Sequence, residues 1–251
     1  MKSITEIKNE YKACEISGLS GFIASYENDD RTGAEALVRQ AKKKLSDYEA
    51  ELVRTEEMKK YEKQYSQYDL ICGIDEVGRG PLAGPVVACA VILKKDCNIL
   101  YINDSKKISA RKREELYEKI MAEALAVGIG QVENTRIDEI NILQATYEAM
   151  RQAIQNLKIK PDILLNDAVT IPGVDIKQVP IIKGDAKSIS IAAASIVAKV
   201  TRDRLMEEYD SVYPGYNFAS NKGYGSKEHM QAVKRLGITP IHRKTFIPDG
   251  L

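Results

Sequence analysis

The clearest hydrophobic pattern in the chain is a pair of short apolar runs separated by a turn rich in glycine. Residues 70–74 form an apolar run of the length expected for a buried strand, and the run ends in two adjacent carboxylates, Asp75 and Glu76. The sequence GRGPLAG at 78–84 contains more glycine and proline than a helix or strand tolerates. A second apolar run at 85–93 therefore predicts the partner strand of a β-hairpin.

Downstream of this hairpin, helical and strand-like patterns alternate along the chain. Ser109 and Asp138 stand at the starts of two helical patterns, where short polar side chains commonly cap a helix. One strand-like run ends in Asn166 and Asp167 and so carries a further carboxylate. Periodicity alone does not fix the order of the strands in a sheet. The predicted elements are a helix at 110–126, a strand at 128–133, a helix at 138–157, and strands at 162–165 and 179–182.

A later segment predicts a helix that is buried on nearly all sides. The run ISIAAASIVA at 189–198 is apolar almost throughout, and Asp185 is the predicted N-cap of a helix that starts at Ala186. At helical spacing the buried stripe continues to Asp203. The sequence leaves two roles open for Asp203, a functional carboxylate or a simple partner of Lys199 one turn earlier.

The carboxylates that end the first strand suggest a metal site. Asp75 and Glu76 would repel each other and resist burial unless a cation neutralises them. Carboxylate oxygens suit Mg²⁺ or Mn²⁺, and neighbouring glycines let backbone N–H groups approach a phosphate. This combination is typical of sites that cleave phosphodiesters. An ordinary solvated acidic turn would show the same local pattern, so the stretch alone leaves both interpretations open.

Residues 1–69 differ in composition from the rest of the chain. They are rich in Lys, Glu, Tyr and Ala, and residues 32–65 carry apolar side chains near helical spacing. We predict a helical N-terminal extension at 1–69 and a second domain at 70–251 that closes with loops and short helices. The basic residues at 39–44 form either a solvated helix face or an arm that holds a nucleic-acid duplex.

Composition excludes several classes of protein. The 251 residues are 44% hydrophobic, which is enough for a core, and the formal net charge of +1 means that any basic surface must be local. Four cysteines without CxxC spacing and only two histidines argue against a zinc site. The sequence has no signal-peptide pattern and no apolar run of membrane-spanning length, so we expect a cytoplasmic protein.

Several segments occur together in an order that resembles the ribonuclease HII family. Residues 70–93 are the first, and the longest is KGDAKSISIAAASIVAKVTRD at 183–203. The others are DSKK at 104–107, LLNDA at 164–168, NKGYGSKEH at 221–229 and HRKTF at 242–246. One such motif would be weak evidence for the family, but six motifs in the family's order over about residues 70–247 are specific evidence. The helical extension is similar to that of some bacterial members.

The resemblance implies an α/β fold of the ribonuclease H type, in which helices flank a five-stranded mixed sheet and the first and fourth strands are neighbours. By the same resemblance two divalent cations, Mg²⁺ or Mn²⁺, lie about 3.5–4 Å apart on four catalytic carboxylates, Asp75, Glu76, Asp167 and Asp203. The implied reaction is endonucleolytic hydrolysis of RNA in RNA–DNA hybrids and nicking of DNA 5′ of embedded ribonucleotides, which leaves 3′-hydroxyl and 5′-phosphate ends. Asp167 could instead cap the turn that follows it.

The resemblance also implies a substrate-binding set, whose members are Gly78, Arg79, Gly80, Lys106, Lys183 and Tyr224. The glycines would let the backbone approach the scissile phosphate and the 2′-hydroxyl, the group that marks a ribonucleotide within DNA. Tyr224 would stack on the deoxyribose just 3′ of the ribonucleotide. The ordinary alternatives are surface lysines and a packing tyrosine. His229 and His242 are expected to be structural or to lie on the substrate side.

Two other functions remain compatible with the sequence. Ribonuclease HIII shares the acidic residues, but it usually carries a sheet-forming N-terminal domain where this chain is predicted to be helical. A catalytically silent duplex-binding protein would keep the fold, although an intact set of four carboxylates argues against it. The expected partner is an RNA–DNA hybrid or ribonucleotide-containing duplex DNA, and we expect a monomer that contacts no membrane.

Overall fold

The computed structural model describes residues 1–248 and contains two compact units. The first is Met1–Glu57 and the second begins at Met58, so the division falls earlier than the predicted boundary after residue 69. A short helix, Lys60–Gln64, belongs to the second unit. Its Glu62 carboxylate accepts hydrogen bonds from the Ser188 hydroxyl (2.6 Å) and the Ser190 N–H (3.0 Å). These bonds explain why the second unit starts before the first strand.

The first unit is helical, as predicted. Helix α1 (Ile4–Ala13) begins at a capping box, in which the Ser3 hydroxyl accepts from the Glu6 N–H and the Glu6 carboxylate accepts from the Ser3 N–H. Helices α2 (Leu19–Tyr26) and α3 (Thr32–Met58) follow. The unit has a small apolar core of its own, formed by Ile7, Leu19, Phe22, Ala34, Leu37 and Ala41.

The second unit is built on a five-stranded mixed sheet, which confirms the predicted fold class. Its strands are β1 (Ile71–Val77), β2 (Val86–Ile92), β3 (Ala126–Val132), β4 (Ile163–Asp167) and β5 (Lys177–Ile181). Their spatial order is β3-β2-β1-β4-β5. The hairpin partners β1 and β2 are antiparallel, and β1 and β4 are parallel neighbours. The first and fourth strands therefore lie side by side, as the resemblance implies.

Helices cover both faces of the sheet, and β2 shows how the two faces are divided. All seven residues of β2 are buried. Its odd-numbered side chains join the core formed with α5 (Ala110–Glu123) and α7 (Ile189–Val212), and its even-numbered side chains join the core formed with α6 (Asn134–Gln155). Burial on both sides explains why this strand is apolar throughout instead of alternating with polar residues.

Helix α7 packs directly on the central strand. A Cβ atom at Gly73 of β1 would fall 2.1 Å from the carbonyl carbon of Ser190, so only glycine allows this approach. Residues 189–198 are all buried, which confirms the predicted buried helix. The predicted N-cap is wrong, because Ser188 caps α7 and Asp185 lies in a short 3-10 turn before it. Asp185 is thereby available for another role.

The prediction that Asp138 begins a helix is also wrong. Helix α6 starts at Asn134 and contains a kink at Asn141, whose φ is 69°. The Asp138 carboxylate instead accepts hydrogen bonds from the backbone N–H groups of Lys244 (2.8 Å) and Thr245 (3.0 Å). A contact between residues so distant in sequence leaves no local signal in the chain.

Short helices complete the second unit. They are α4 (Lys60–Gln64), α8 (Phe218–Asn221) and α9 (Lys227–Leu236). Phe218 and Val233 pack with Met206 of α7 in a small apolar cluster, which fixes the C-terminal segment to the main helix. Among the described residues, no helix combines the length and the apolar character that crossing a bilayer requires.

Candidate active site

Three carboxylates come together where β1 and β4 end. The parallel register pairs Ile74 with Asn166, so the next residues, Asp75 and Asp167, lie on neighbouring strands at the same edge of the sheet. Asp75 is only 6% exposed. Glu76 follows it on β1, and its side chain is mostly buried. The topology thus brings together three of the four predicted catalytic carboxylates.

The charges of these three groups act on one another. Burial raises the pKa of Asp75 well above its usual range, and the neighbouring charges of Glu76 and Asp167 raise it further, while the Ser195 hydroxyl opposes the shift. Burial is also the main cause of the raised pKa of Glu76, which the Arg79 guanidinium lowers and the Asp167 charge raises. When all three carboxylates are ionised in this poorly solvated region, their mutual repulsion destabilises the folded protein. A bound cation would relieve that repulsion.

The structure adds a carboxylate that sequence reasoning missed. Burial raises the pKa of Asp185, and the charges of Asp104 and Asp167 raise it further, with Lys106 opposing them. The segment is held beside Asp167, whose Oδ1 accepts a hydrogen bond of 2.6 Å from the Gly184 N–H. Asp185 therefore lies in the same acidic region. In the sequence Asp185 only follows a predicted strand and precedes a helix, and its proximity to Asp167 depends on the pairing of β5 with β4, which leaves no local signal.

Asp203 has a different environment. Its Oδ1 accepts a hydrogen bond of 2.6 Å from Nζ of Lys199 one turn earlier on α7. The acids that raise the pKa of Asp75 are Glu76 and Asp167, and Asp203 is not among them. The ion pair that the sequence left open for Asp203 is present, and its role as a metal ligand stays a prediction.

The acidic region suits a hard cation by its donors and its charge. The described residues contain no group of three acidic, histidine or cysteine side chains arranged to hold a metal ion as they stand. However, Oε2 of Glu76 is buried without a hydrogen-bond partner, which is an expensive state for a carboxylate oxygen. Carboxylate oxygens are the ligands that Mg²⁺ and Mn²⁺ prefer. A divalent cation would satisfy this oxygen and relieve the repulsion.

The glycine-rich loop between β1 and β2 stands next to these acids. Gly78 has a φ of 91°, and a Cβ atom there would fall 2.3 Å from Nε of Arg202, so no other residue fits. Arg79 and Gly80 are exposed. The Arg79 guanidinium reaches back to Oε1 of Glu76 at 3.2 Å. The loop therefore presents an exposed backbone beside the carboxylates.

The remaining predicted substrate residues lie on the surface. Tyr224 is 45% exposed, and its ring lies against the loop, because a Cβ atom at Gly80 would be 3.7 Å from Cε1 of Tyr224. Lys106 and Lys183 are also exposed. Lys183 adopts the left-handed conformation immediately before Gly184, which places it next to the segment bonded to Asp167.

Comparison with known proteins gives a consistent result. The profile described as Ribonuclease HII matches residues 72–248, and the one described as Ribonuclease HII N-terminal domain matches residues 3–66. Ribonuclease HII of Lachnoclostridium phytofermentans is 62% identical over 98% of this chain and 97% of its own length. That of Clostridioides difficile is 54% identical over 100% of this chain and 99% of its own. The solved PCNA:RNase HII complex from Archaeoglobus fulgidus superposes with a TM-score of 0.60 at 27% identity, covering 71% of this chain and 96% of that one.

A ribonuclease H-like sheet with buried carboxylates at one edge defines the class of protein, a metal-dependent endoribonuclease of the ribonuclease H type. The matches extend over both units of the chain and nearly the full length of the relatives. The chain belongs to the ribonuclease HII family. Of the two related families weighed from the sequence, ribonuclease HII is confirmed.

Proposed function

We propose that this chain hydrolyses RNA in RNA–DNA hybrid duplexes and nicks DNA on the 5′ side of embedded ribonucleotides, leaving 3′-hydroxyl and 5′-phosphate ends. The observation that carries the proposal is the position of the buried carboxylates beside an exposed glycine-rich loop and Tyr224. The acids supply sites for cations, and the loop and the aromatic ring supply a surface for a sugar and its phosphate.

Two divalent cations, Mg²⁺ or Mn²⁺, would be held by Asp75, Glu76 and Asp167 together with a fourth carboxylate. When bound, such cations lower the pKa of water and stabilise negative charge on the leaving oxygen. The resemblance to the family implies Asp203 as the fourth ligand. The effect of Asp167 on the pKa of Asp185 supports Asp185 for the same place, and the ion pair of Asp203 with Lys199 weakens the case for Asp203.

The other residues of the proposed site orient the substrate. The backbone of residues 78–80 would approach the scissile phosphate and the 2′-hydroxyl, which is the only chemical difference between a ribonucleotide and its DNA neighbours. The Tyr224 ring, next to Gly80, would stack on the adjacent deoxyribose. Lys106 and Lys183 would contact phosphates as point charges.

A labelled duplex with one embedded ribonucleotide tests the proposal. The protein is mixed with this duplex, with an all-RNA hybrid and with an all-DNA duplex of the same sequence, in Mg²⁺, Mn²⁺ or EDTA. We expect metal-dependent cuts in the first two substrates only, with a 5′-phosphate that blocks end-labelling until a phosphatase removes it. Binding without cleavage in either metal would favour a silent duplex-binding protein and contradict the proposal.

A further inference from the structure

Two arginine side chains lie buried beneath the glycine-rich loop, Arg202 on α7 and Arg243 near the C-terminus. Buried arginines usually pair with a carboxylate. Between residues 1 and 248 neither guanidinium has an acidic partner at ion-pair distance, and each donates three hydrogen bonds to backbone carbonyls. Neutralising an acid is therefore not the reason for their burial.

The hydrogen bonds of Arg243 all go to the loop. Its Nη2 donates to the Gly78 carbonyl (2.6 Å), its Nη1 to the Arg79 carbonyl (2.9 Å) and its Nε to the Gly84 carbonyl (2.9 Å). The planar guanidinium thus fixes both ends of the loop at once. A lysine ammonium is a single point and cannot span three carbonyls in this way.

Arg202 holds the other side of the loop. It donates to the carbonyls of Ala83 (3.0 Å) and Pro85 (2.9 Å) and to the Lys222 carbonyl (2.8 Å). Lys222 stands two residues before Tyr224. The same side chain therefore connects the loop to the segment that carries the exposed tyrosine.

The carbonyl bonds determine where the loop N–H groups point. In a trans peptide group the C=O of one residue and the N–H of the next point in opposite directions. The chain has no cis peptide bond in its described residues. Because the carbonyls of Gly78 and Arg79 point inward to Arg243, the N–H groups of Arg79 and Gly80 point outward. Both residues are exposed, and no acceptor within the described chain takes either N–H. Two adjacent donors are thus directed to solvent next to the acidic region.

The arrangement is unfavourable for the free protein and favourable for an anion. Burial lowers the pKa of Arg243 to about 9, to which the charge of Arg202 contributes. Burial likewise lowers the pKa of Arg202 to about 10. Burying two like charges is costly, although their hydrogen bonds to six backbone carbonyls offset part of that cost. The positive potential that they leave beneath the loop would stabilise a phosphate bound above it.

We propose that Arg243 is a positioning residue that directs the N–H groups of Arg79 and Gly80 towards a phosphate oxygen of the substrate, and that Arg202 fixes the loop relative to the Tyr224 segment. The inference rests on the proposed substrate role of residues 78–80. It adds that this role depends on buried guanidinium groups that never touch the substrate.

Conservative variants test the inference in the full chain. Arg243→Lys keeps the charge and removes the three-point contact, and Arg235→Lys on the exposed face of α9 is the matched control. We expect Arg243→Lys to bind Mn²⁺ as the wild type does but to bind the one-ribonucleotide duplex in EDTA at least 10-fold more weakly, with KM raised by a similar factor. Arg235→Lys should match the wild type in all of these measurements.

A measurement on the wild-type protein keeps the test independent of how the variant folds. In ¹H–¹⁵N spectra recorded with EDTA, adding the duplex should shift the Arg79 and Gly80 amide resonances, and Arg243→Lys should abolish those shifts. Unshifted amides in the wild type, or an Arg243→Lys protein with wild-type affinity and shifts, would overturn the inference. If the wild type cleaves but Arg243→Lys behaves normally, only this inference fails. A wild type that binds but never cleaves would contradict the proposed function instead.

Discussion

Nε2 of His229 lies 3.1 Å from Nε2 of His242, and both rings are buried. The Thr239 N–H donates to Nδ1 of His242 (2.8 Å), so His242 must carry its proton on Nε2 and donate it to His229. His229 then carries its proton on Nδ1 and donates it to the Tyr224 carbonyl (2.8 Å). Two neutral rings therefore form a directional hydrogen-bond chain that ends at the proposed substrate-recognition residue.

This chain predicts one tautomer for each ring. Long-range ¹H–¹⁵N spectra at pH 7.5 should show His229 protonated at Nδ1 and His242 protonated at Nε2. The reverse assignment, or a protonated ring at that pH, would contradict the hydrogen-bond directions. The protein has only these two histidines, so the signals can be assigned with a single His229→Gln variant.

The same pair predicts how stability depends on pH. Burial lowers the pKa of His242 to about 4, with the charge of His229 as a second cause, and burial lowers the pKa of His229. The unfolded chain takes up these protons near pH 6.5, so the free energy of unfolding should fall as the pH drops from about 6.5 towards 4. Urea unfolding of the wild type and His242→Gln at pH 7.5 and 5 checks this. Equal losses in both proteins would rule out the pair as the cause.

The sequence predicts some parts of this molecule well because their signals are local. The apolar runs that flank Asp75 and Glu76 form β1 and β2, and the apolar sequence at 189–198 forms a buried helix. Burial on one or both faces leaves such patterns in any chain. The carboxylates at 75, 76 and 167 are visible as strand-end acids, but it is the resemblance to the family that groups them into one site.

Other features depend on contacts between distant residues and leave no local pattern. Asp185 looks like an N-cap, and only the pairing of β4 with β5 places it near Asp167. Asp138 looks like the start of a helix but binds the segment at 244–245. Arg243 looks like a surface arginine in a basic tail, yet it is buried against the loop that begins at Gly78.

Removing one charge from the acidic region should stabilise the metal-free protein. Because the pKa of Asp75 is raised on folding, its contribution to stability is complete below the unfolded pKa of about 3.9. That contribution declines as the pH rises from there and is lost once the pH passes the raised folded-state pKa. Asp75→Asn should therefore increase the free energy of unfolding at pH 7.5 in EDTA. The exposed Asp175→Asn is the control and should change nothing. A destabilised Asp75→Asn protein would argue against the mutual repulsion.

Tyr224 offers a test of ribonucleotide recognition that leaves the acids intact. Tyr224→Ala removes the exposed ring beside Gly80 and should lose most cleavage of the one-ribonucleotide duplex while binding Mn²⁺ normally. Tyr224→Phe should lose less, since the ring and its packing on the sugar survive. Both variants are compared on the all-RNA hybrid. Wild-type rates for both on the one-ribonucleotide duplex would exclude Tyr224 from recognition.

The N-terminal unit can be removed at a position that the fold defines. A chain that starts at Met58 should fold and keep the acidic region, whereas one that starts at Tyr68 loses Glu62 and its bonds to Ser188 and Ser190 at the start of α7. We expect the shorter chain to be less stable by more than the roughly 1 kcal/mol typical of a lost helix cap, because it also lacks Met58 of the main core. Thermal unfolding of both chains measures the difference, and equal stability would contradict the role of Glu62.

The chain that starts at Met58 also tests the basic residues of the first unit. If Arg39, Lys42, Lys43 and Lys44 contact the duplex, the chain from Met58 should bind it more weakly than the full chain at low salt, and the difference should shrink as salt rises. A loss of affinity that does not change with salt would exclude a contact made through these charges.

The central claim is that Asp75, Glu76 and Asp167 hold the cations that cleavage requires. Its most direct test is Mn²⁺ binding by calorimetry, together with cleavage of the one-ribonucleotide duplex, for the wild type, Asp75→Asn, Asp185→Asn, Asp203→Asn and the control Asp175→Asn. We expect Asp75→Asn to lose Mn²⁺ affinity and at least about 100-fold in cleavage rate, and the control to keep both. If Asp185 is the fourth ligand, Asp185→Asn will resemble Asp75→Asn more closely than Asp203→Asn does. An Asp75→Asn protein that binds Mn²⁺ and cleaves like the wild type would contradict the account.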